Sequence, residues 1–88
     1  MRQLARFDLN LLRIFDAIFV KGGVSAAARH LNLSQPAISH ALTRLRAQFD
    51  DPLFVRQGNG LVPTPAARAI AGPVREALRG LDAALDAA

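Results

Sequence analysis

Apolar residues recur every three or four positions along the first quarter of the chain, a spacing that places them on one face of an α-helix. The stripe consists of Leu11, Leu12, Phe15, Ile18 and Phe19. Asp8 can cap a helix that carries this stripe, and Gly22 and Gly23 can end it, because glycine readily takes the left-handed conformation. We therefore predict a first helix from Leu9 to about Lys21, with one apolar face for the core.

Two further helices are predicted close behind the first. Ser25 can cap a short helix that ends near Leu31, and its run of alanines favours helix formation and close packing. A tight turn at 32–33 follows. Ser34 can then cap a third helix that reaches about Phe49. Two helices joined by so brief a turn are typical of a helix-turn-helix.

A hairpin is predicted after the third helix. Short β-strands are expected at Leu53–Arg56 and Leu61–Pro63, with a glycine-rich loop over 57–60 between them. A hairpin in this position makes the helix-turn-helix a winged one. We therefore expect a mainly α fold. A winged helix-turn-helix of three helices and a two-stranded wing occupies 1–64, and a long linker helix that dimerises occupies 65–88.

The last helix is predicted to begin at Thr64 and Pro65, a cap followed by a first-turn proline, and we expect Pro73 to bend it. Its apolar residues are spaced by three or four, as in a coiled coil: Ile70, Val74, Leu78, Leu81, Leu85 and Ala88. A domain of this size has little further core to cover so long a stripe, so we predict a homodimer through this helix. The alternative is that the stripe folds back on the first helix.

The two faces of the third predicted helix differ in chemistry. At about 100° per residue, the core side takes Ile38, Ala41, Leu42, Leu45 and Phe49, and the outer side takes Pro36, Ser39, His40, Thr43 and Arg44, with Gln35 and Arg46 at its edges. Gln pairs bidentately with adenine, Ser and Thr bond to several bases, and an apolar ring can touch a thymine methyl. No acid precedes Asp50 on this helix, and its N-terminus at Ser34 favours a phosphate. The outer side therefore suits a DNA major groove, with Arg44 and Arg46 as candidates for phosphate or minor-groove contacts, and the alternative is a solvated face of short polar residues.

The charge of the chain is compatible with nucleic acid. It carries 11 basic and 7 acidic residues, and every base except Lys21 is arginine, the better bidentate partner for phosphate and base edges. A high-GC genome is the alternative explanation for so much arginine.

Arg56, beside the wing loop, is a candidate for a contact in the minor groove or with a phosphate; the alternative is a surface residue that only solubilises the hairpin. Ser25 can hold a phosphate with the N–H groups around it, or simply cap its helix.

Other functions find little support in the sequence. There is no cysteine, which excludes disulfides and thiolate metal sites. His30 and His40 have no acidic partner placed to complete a metal site, and no nucleophile–base pair or phosphate loop is present, so we expect neither an enzyme nor a cofactor.

No run approaches the roughly 18 apolar residues of a membrane span, and no signal peptide is evident, so we expect a cytoplasmic protein. The five phenylalanines are expected in the core.

Four motifs follow one another along the chain: FDLNLLRIFDAIF, SAAARHLNLSQPAISHALTRLR, DPLFVR and PTPAA. Together they resemble the DNA-binding half of the LysR-type transcriptional regulators over roughly Phe7 to Ala88, and most closely the branch that contains the nodulation regulators. The resemblance implies a winged helix-turn-helix and a linker helix that dimerises. It also implies base-edge contacts at Gln35, Pro36, Ser39 and His40, a wing contact at Arg56, and further DNA contacts at Thr43 and Arg44.

The chain departs from the family pattern in several respects. Many members have Arg at the position of His40 and Glu near that of Arg46, so the base contact at His40 is expected to differ and this helix is more basic. The stretch KGGVSAAA is looser than the usual start of the second helix. The family's C-terminal effector-binding domain lies outside this chain, so we expect a small-molecule response only in a longer parent protein.

We therefore predict sequence-specific binding of double-stranded DNA by a dimeric bacterial transcription regulator. The third helix is expected in the major groove, the wing at the adjacent minor groove, and the two copies on an inverted repeat in the DNA of the nucleoid. The alternative hypothesis is a winged-helix protein-interaction module whose DNA affinity is incidental. Base-sequence preference together with salt dependence distinguishes the first hypothesis from the second.

Overall fold

The computed structural model describes residues 2–88, with side chains from Leu4 onward. In chain order its elements are α1 (Arg2–Ala5), α2 (Leu9–Lys21), α3 (Val24–Leu31), α4 (Gln35–Phe49), β1 (Phe54–Gln57), β2 (Gly60–Pro63) and α5 (Pro65–Ala87). The strands pair antiparallel, with Phe54 opposite Pro63 and Gln57 opposite Gly60. The predicted mainly helical winged helix-turn-helix is therefore confirmed, with a long helix after the wing.

The core forms around α2, which packs against α3, α4 and α5. The buried apolar residues are Leu11, Ile14, Phe15, Ala17 and Ile18 of α2, Ala27 and Ala28 of α3, Ile38, Ala41, Leu42 and Leu45 of α4, Leu53 and Phe54 before and in β1, and Ala67 and Val74 of α5. The predicted apolar stripe of α2 shifts slightly, because Ile14 and Ala17 join the core while Leu12 and Phe19 are only partly buried.

The expectation that all five phenylalanines serve the core is confirmed. Phe15 and Phe54 are fully buried, and Phe7, Phe19 and Phe49 pack partly buried against the same cluster. The ring centroids of Phe15 and Phe54 lie 5.4 Å apart, as do those of Phe7 and Phe49. The first pair attaches the wing to α2, and the second attaches the end of α4 to the segment before α2.

Side-chain caps fix the predicted starts of three helices. Asp8 accepts a hydrogen bond from the Asn10 N–H at 2.9 Å, and Ser34 Oγ accepts one from the Ala37 N–H at 3.2 Å. Thr64 Oγ1 accepts one from the Ala67 N–H at 3.1 Å. The cap predicted at Ser25 is wrong: α3 begins at Val24 after an extended Gly23, with no side-chain cap. Ser25 therefore lies exposed inside the first turn of α3.

Two local features differ from the sequence expectation. The short α1 was not predicted, because four residues are too few to show an apolar period. The strands also differ by one residue from their expected ranges: β1 begins at Phe54 where Leu53 was expected, and β2 begins at Gly60 where Leu61 was expected. Leu53 takes a left-handed backbone conformation, with φ of 62°, which breaks the extended path before the strand can begin.

The base of the wing is joined to the start of α5 by hydrogen bonds. Asp51 Oδ2 accepts from the Leu53 N–H and from Thr64 Oγ1, each at 2.7 Å. The Thr64 N–H donates to the Leu53 carbonyl at 2.8 Å. One carboxylate oxygen thus holds the entry of β1 and the cap of α5 together.

The long apolar stripe of α5 is divided between two environments. Ile70, Val74 and Leu78 pack against the core of the same chain, so the predicted alternative of folding back holds for this half. Leu81 and Leu85 remain 51% and 75% exposed. The helix itself is continuous through Pro73.

Replacing Thr64 by Ala should lower the free energy of unfolding by about 1–3 kcal/mol, because the change removes a helix cap and one of the two donors to Asp51. Thr64→Ser keeps the hydroxyl and serves as the control, with an expected loss below about 1 kcal/mol. Urea denaturation followed by circular dichroism, at one protein concentration for all variants, measures both. Equal midpoints for the Ala and Ser variants would contradict the role of the hydroxyl.

Candidate nucleic-acid interface

The outer face of α4 is open to solvent along its whole length. Every candidate base-reading residue is exposed: Gln35, Pro36, Ser39, His40 and Thr43. The opposite face is buried, with Ile38 and Leu45 fully inaccessible, so the side chains outside cannot exchange with those inside by rotation of the helix. The predicted division of this helix into a core side and an outer side is therefore confirmed.

The two arginines on this helix have different surroundings. Arg44 Nη1 lies 3.6 Å from Asp8 Oδ2, and both side chains are well exposed. Such a pair is worth roughly 0–1 kcal/mol, which leaves the guanidinium free to turn towards another anion. Arg46 instead donates from Nε to the Pro52 carbonyl at 2.8 Å and from Nη2 to the Phe54 carbonyl at 2.9 Å. Its head group is committed to the base of the wing, which the sequence did not indicate.

The wing lies beside α4 with its arginine exposed. Gly58 and Asn59 form the turn between the strands, and Gly58 supplies the positive φ of 62° that a two-residue hairpin turn requires at its first position. Arg56 pairs across the sheet with Leu61, and the Leu61 N–H donates to the Gly22 carbonyl at 3.1 Å. The second strand is thereby attached to the turn between α2 and α3.

A groove of about 410 Å³ lies between α3, α4 and the wing. Its polar and basic lining residues are Lys21, Ser25, Arg29, Gln35, Ser39, Arg56 and Asn59. The structure thus brings together four residues that the sequence predicted as DNA contacts, Ser25, Gln35, Ser39 and Arg56. No acidic residue lines the groove, so it can accept a polyanion without repulsion.

Three residues of this groove were missed by the sequence analysis. Lys21 is the last residue of α2, Arg29 is on the exposed side of α3, and Asn59 is in the wing turn. Lys21 is the only lysine of the chain, and a helical projection of α3 places Arg29 one turn after Ser25. Both signals were available from the sequence, whereas the position of Asn59 depends on how the wing packs.

A neighbouring groove of about 460 Å³ extends the surface along α4 towards the start of the wing. Ser39 and Arg56 line both grooves, and Thr43 and Arg46 line only the second. Pro36, His40 and Arg44 are exposed on the outer face of α4 and line neither groove. Within α4, Thr43 Oγ1 donates to the Ser39 carbonyl at 3.2 Å, which leaves its oxygen free to accept.

An apolar groove of about 330 Å³ lies on another side of the molecule. Its lining residues are Leu4, Phe7, Leu12, Phe49, Ile70, Pro73, Val74 and Ala77. At about 100° per residue, the exposed Leu81 and Leu85 continue the face of α5 that carries Ile70, Val74 and Ala77. The predicted dimerisation stripe therefore runs from the floor of this groove to the free end of the helix.

Other kinds of site are not evident in the part of the chain that the structure describes. Across residues 2–88, no three His, Asp or Glu side chains come together in a way that could hold a metal ion. None of the described helices combines the length and the apolar character needed to cross a membrane.

The chain is similar to known proteins over most of its length. The family model described as bacterial regulatory helix-turn-helix protein, lysR family, matches residues 9–68. Nodulation protein D 1 of Bradyrhizobium elkanii is 59% identical over 71 residues, which are 81% of this chain and 23% of that protein. The chain thus spans about a quarter of the length of the curated relatives it matches.

Solved structures are also similar to this chain over most of its length. A probable transcriptional regulator from Pseudomonas aeruginosa superposes with a TM-score of 0.93 at 48% identity, over 97% of this chain and 28% of that one. A CbnR DBD–DNA complex superposes with a TM-score of 0.81 at 29% identity, over 91% of this chain and 92% of that one.

Proposed function

Because the chain belongs to the lysR family of bacterial regulatory helix-turn-helix proteins, we propose that it binds double-stranded DNA sequence-specifically as the DNA-binding part of a dimeric transcription regulator. The observation that carries this proposal is the groove between α3, α4 and the wing, which is lined by basic and hydrogen-bonding side chains and by no acid. A neighbour with the same fold over 91% of this chain is in complex with DNA, which supports the nature of the ligand. The site of action is the nucleoid, in the cytoplasm.

In this proposal α4 enters the major groove with its exposed face towards the bases. The base-reading residues are Gln35, Pro36, Ser39, His40 and Thr43. A helix of this diameter fits the major groove of B-DNA, and each of these polar groups can bond to base edges there. Gln35 is at the N-terminus of the helix, which is the part that approaches the bases most closely in helix-turn-helix proteins.

Phosphate contacts hold the protein in register on the duplex. Ser25 lines the groove in the first turn of α3, where backbone N–H groups have no partner within the helix. Ser34 keeps a hydroxyl proton to donate although its oxygen caps α4. Arg44 is exposed enough to leave Asp8 for a phosphate. Arg56 extends from β1 towards the adjacent minor groove, where a narrow width concentrates negative potential. These contacts make the affinity depend on salt.

The dimer of this proposal is formed by α5. Leu81 and Leu85 are exposed at the end of the helix, and the apolar groove that ends at Ala77 lies on the same face. Under a two-fold axis the last turns of each α5 cover the groove of the other chain, so both exposed surfaces are buried in one self-complementary contact. The dimer then presents two α4 helices to the half-sites of an inverted repeat.

Selection of bound sequences from a random DNA pool, with this chain alone and near-physiological salt, tests the proposed function. An inverted repeat is expected, because two identical copies read two identical half-sites. Binding without any enriched motif, or no binding, would reject sequence-specific recognition and favour the protein-interaction module. A repetition of the selection at raised salt should enrich the same motif at lower yield, since salt weakens the phosphate contacts and leaves the base contacts.

Gln35→Ala should weaken binding to the selected site by about 1–3 kcal/mol and relax the preference at one base pair of each half-site. The reason is the loss of the bidentate amide at the start of α4. Gln48→Ala is a matched control at the far end of the same helix, where the amide donates to the Arg6 carbonyl at 3.4 Å. Fluorescence anisotropy on the site and on its single-base variants measures both. An unchanged base preference in Gln35→Ala would remove this residue from the reading set.

Leu81→Asp combined with Leu85→Asp should convert the dimer to monomers, because a charge buried in an apolar contact lacks a partner. Both leucines are more than half exposed in the single chain, so the variant should keep its fold and its circular dichroism. Ala83→Asp combined with Ala87→Asp adds the same charge off the stripe and should leave the dimer intact. Sedimentation equilibrium measures the masses, and a dimeric leucine variant would show that the contact lies elsewhere.

A further inference from the structure

Arg46 binds the base of the wing through two nitrogens of its guanidinium. Nε donates to the Pro52 carbonyl at 2.8 Å and Nη2 to the Phe54 carbonyl at 2.9 Å. These two carbonyls flank Leu53, the residue with a left-handed backbone that directs the chain into β1. The side chain therefore spans the point at which the wing leaves the helical part of the molecule.

The same point is held from its other side by Asp51. Its carboxylate accepts from the Leu53 N–H and from the Thr64 hydroxyl, and the Leu53 side chain is completely buried beneath. The conformation of Leu53 is thus fixed by the core and by Asp51. The Asp51 N–H also donates to the Arg46 carbonyl at 3.2 Å, which attaches the segment before β1 to the end of α4, and the wing itself contacts α2 through Phe54. Among the hydrogen bonds of the described residues, the bond from Arg46 Nη2 to Phe54 joins α4 directly to β1, so this side chain is placed to set the angle between the two.

The placement of Arg46 couples the two parts of the candidate interface. It is on the same helix as Ser39 and Thr43, and the three side chains line one groove with Arg56. The carbonyl that it holds at Phe54 is two residues before Arg56 on the same strand. A change in the angle of the wing at Phe54 therefore moves Arg56 relative to the base-reading face of α4.

We infer that Arg46 is a positioning residue, which sets the wing against α4 and so places Arg56, and that it is not itself a phosphate ligand. Its effect on DNA binding rests on the proposed function, whereas its effect on the wing does not. Arginine is required because its planar fork reaches two carbonyls at once, while a lysine ammonium carries the same charge without that geometry. Arg46→Lys therefore distinguishes the two roles. The variant keeps the positive charge that a phosphate ligand needs, but it loses the planar guanidinium that bonds to two carbonyls at once.

The first arm of the test uses the protein without DNA. Backbone amide order parameters and chemical shifts over 54–63 are compared in the wild type, Arg46→Gln and Arg46→Lys, with Arg79→Gln as a control for the loss of one charge. Both Arg46 variants should lower the order parameters of the wing, while the amides of the α2 core and the Arg79→Gln protein stay unchanged. Wing amides that do not change in Arg46→Gln would overturn the inference, whatever the protein does with DNA.

The second arm is a double-mutant cycle on the selected DNA site. Arg46→Gln should weaken binding about tenfold, the scale of one lost charge-assisted hydrogen bond, and less than about twofold when Arg56→Ala is already present, because the two changes remove the same contact. Arg46→Lys should recover little of the loss. Arg44→Gln, the comparison for a direct phosphate contact, should add its effect to that of Arg56→Ala and lower the salt slope by about one.

The outcomes separate the inference from the proposed function. If Arg46→Gln and Arg56→Ala add independently, with a lower salt slope and full recovery in Arg46→Lys, Arg46 is a phosphate ligand and the inference is overturned. If the wild type shows no base preference, the proposed function fails, and the wing amides alone decide the role of Arg46. Non-additive loss together with a disordered wing supports the positioning role.

Discussion

The burial of the inner face of α4 against α2 and α3 is the contact on which the rest of the structure depends. Ile38 and Leu45 of α4 and Ile18 of α2 are completely inaccessible to solvent, and burying each such side chain contributes about 1.5–3 kcal/mol. This packing fixes the rotation of α4, and with it the set of polar side chains that faces outward. The wing depends on the same contact, because Phe54 packs on Phe15 of α2 and Arg46 reaches the wing from α4. The short, exposed side chains that are proposed to read DNA are therefore kept in place by buried residues outside that surface.

Periodicity and capping residues were sufficient to predict the main elements from the sequence. The caps at Asp8, Ser34 and Thr64 and the two faces of α4 were predicted because each depends only on neighbouring residues. The cap at Ser25 was wrong, since the glycine before Val24 could begin the helix two residues earlier. The start of β1 was misplaced because the left-handed backbone of Leu53 is imposed by Asp51 and the core. A leucine gives no local signal of such a conformation, which few non-glycine residues adopt.

Part of the candidate site could be predicted from the sequence, but the complete set of residues that line the groove could not. The exposed face of α4 and the position of Arg56 followed from helical and strand periodicity. The contribution of Asn59 could not follow, because this residue joins the groove only when the wing packs against the turn between α2 and α3, through the hydrogen bond from Leu61 to Gly22. The burial of the apolar stripe of α5 was equally hard to predict. An unbroken heptad pattern does not show which of its residues pack on the chain's own core and which remain exposed.

Arg44 and Arg46 show why counting basic residues cannot locate a binding surface. They are two positions apart on one helix, which separates their side chains by about 200° around its axis. One faces solvent beside a weakly interacting carboxylate, and the other is used by two backbone carbonyls. A basic residue that satisfies carbonyls of its own chain contributes to the long-range field, but its donors no longer face the ligand. In the proposed complex the specific part of recognition depends on the relative placement of α4 and the wing, and we infer that this placement is maintained by hydrogen bonds to the backbone and not by the net charge.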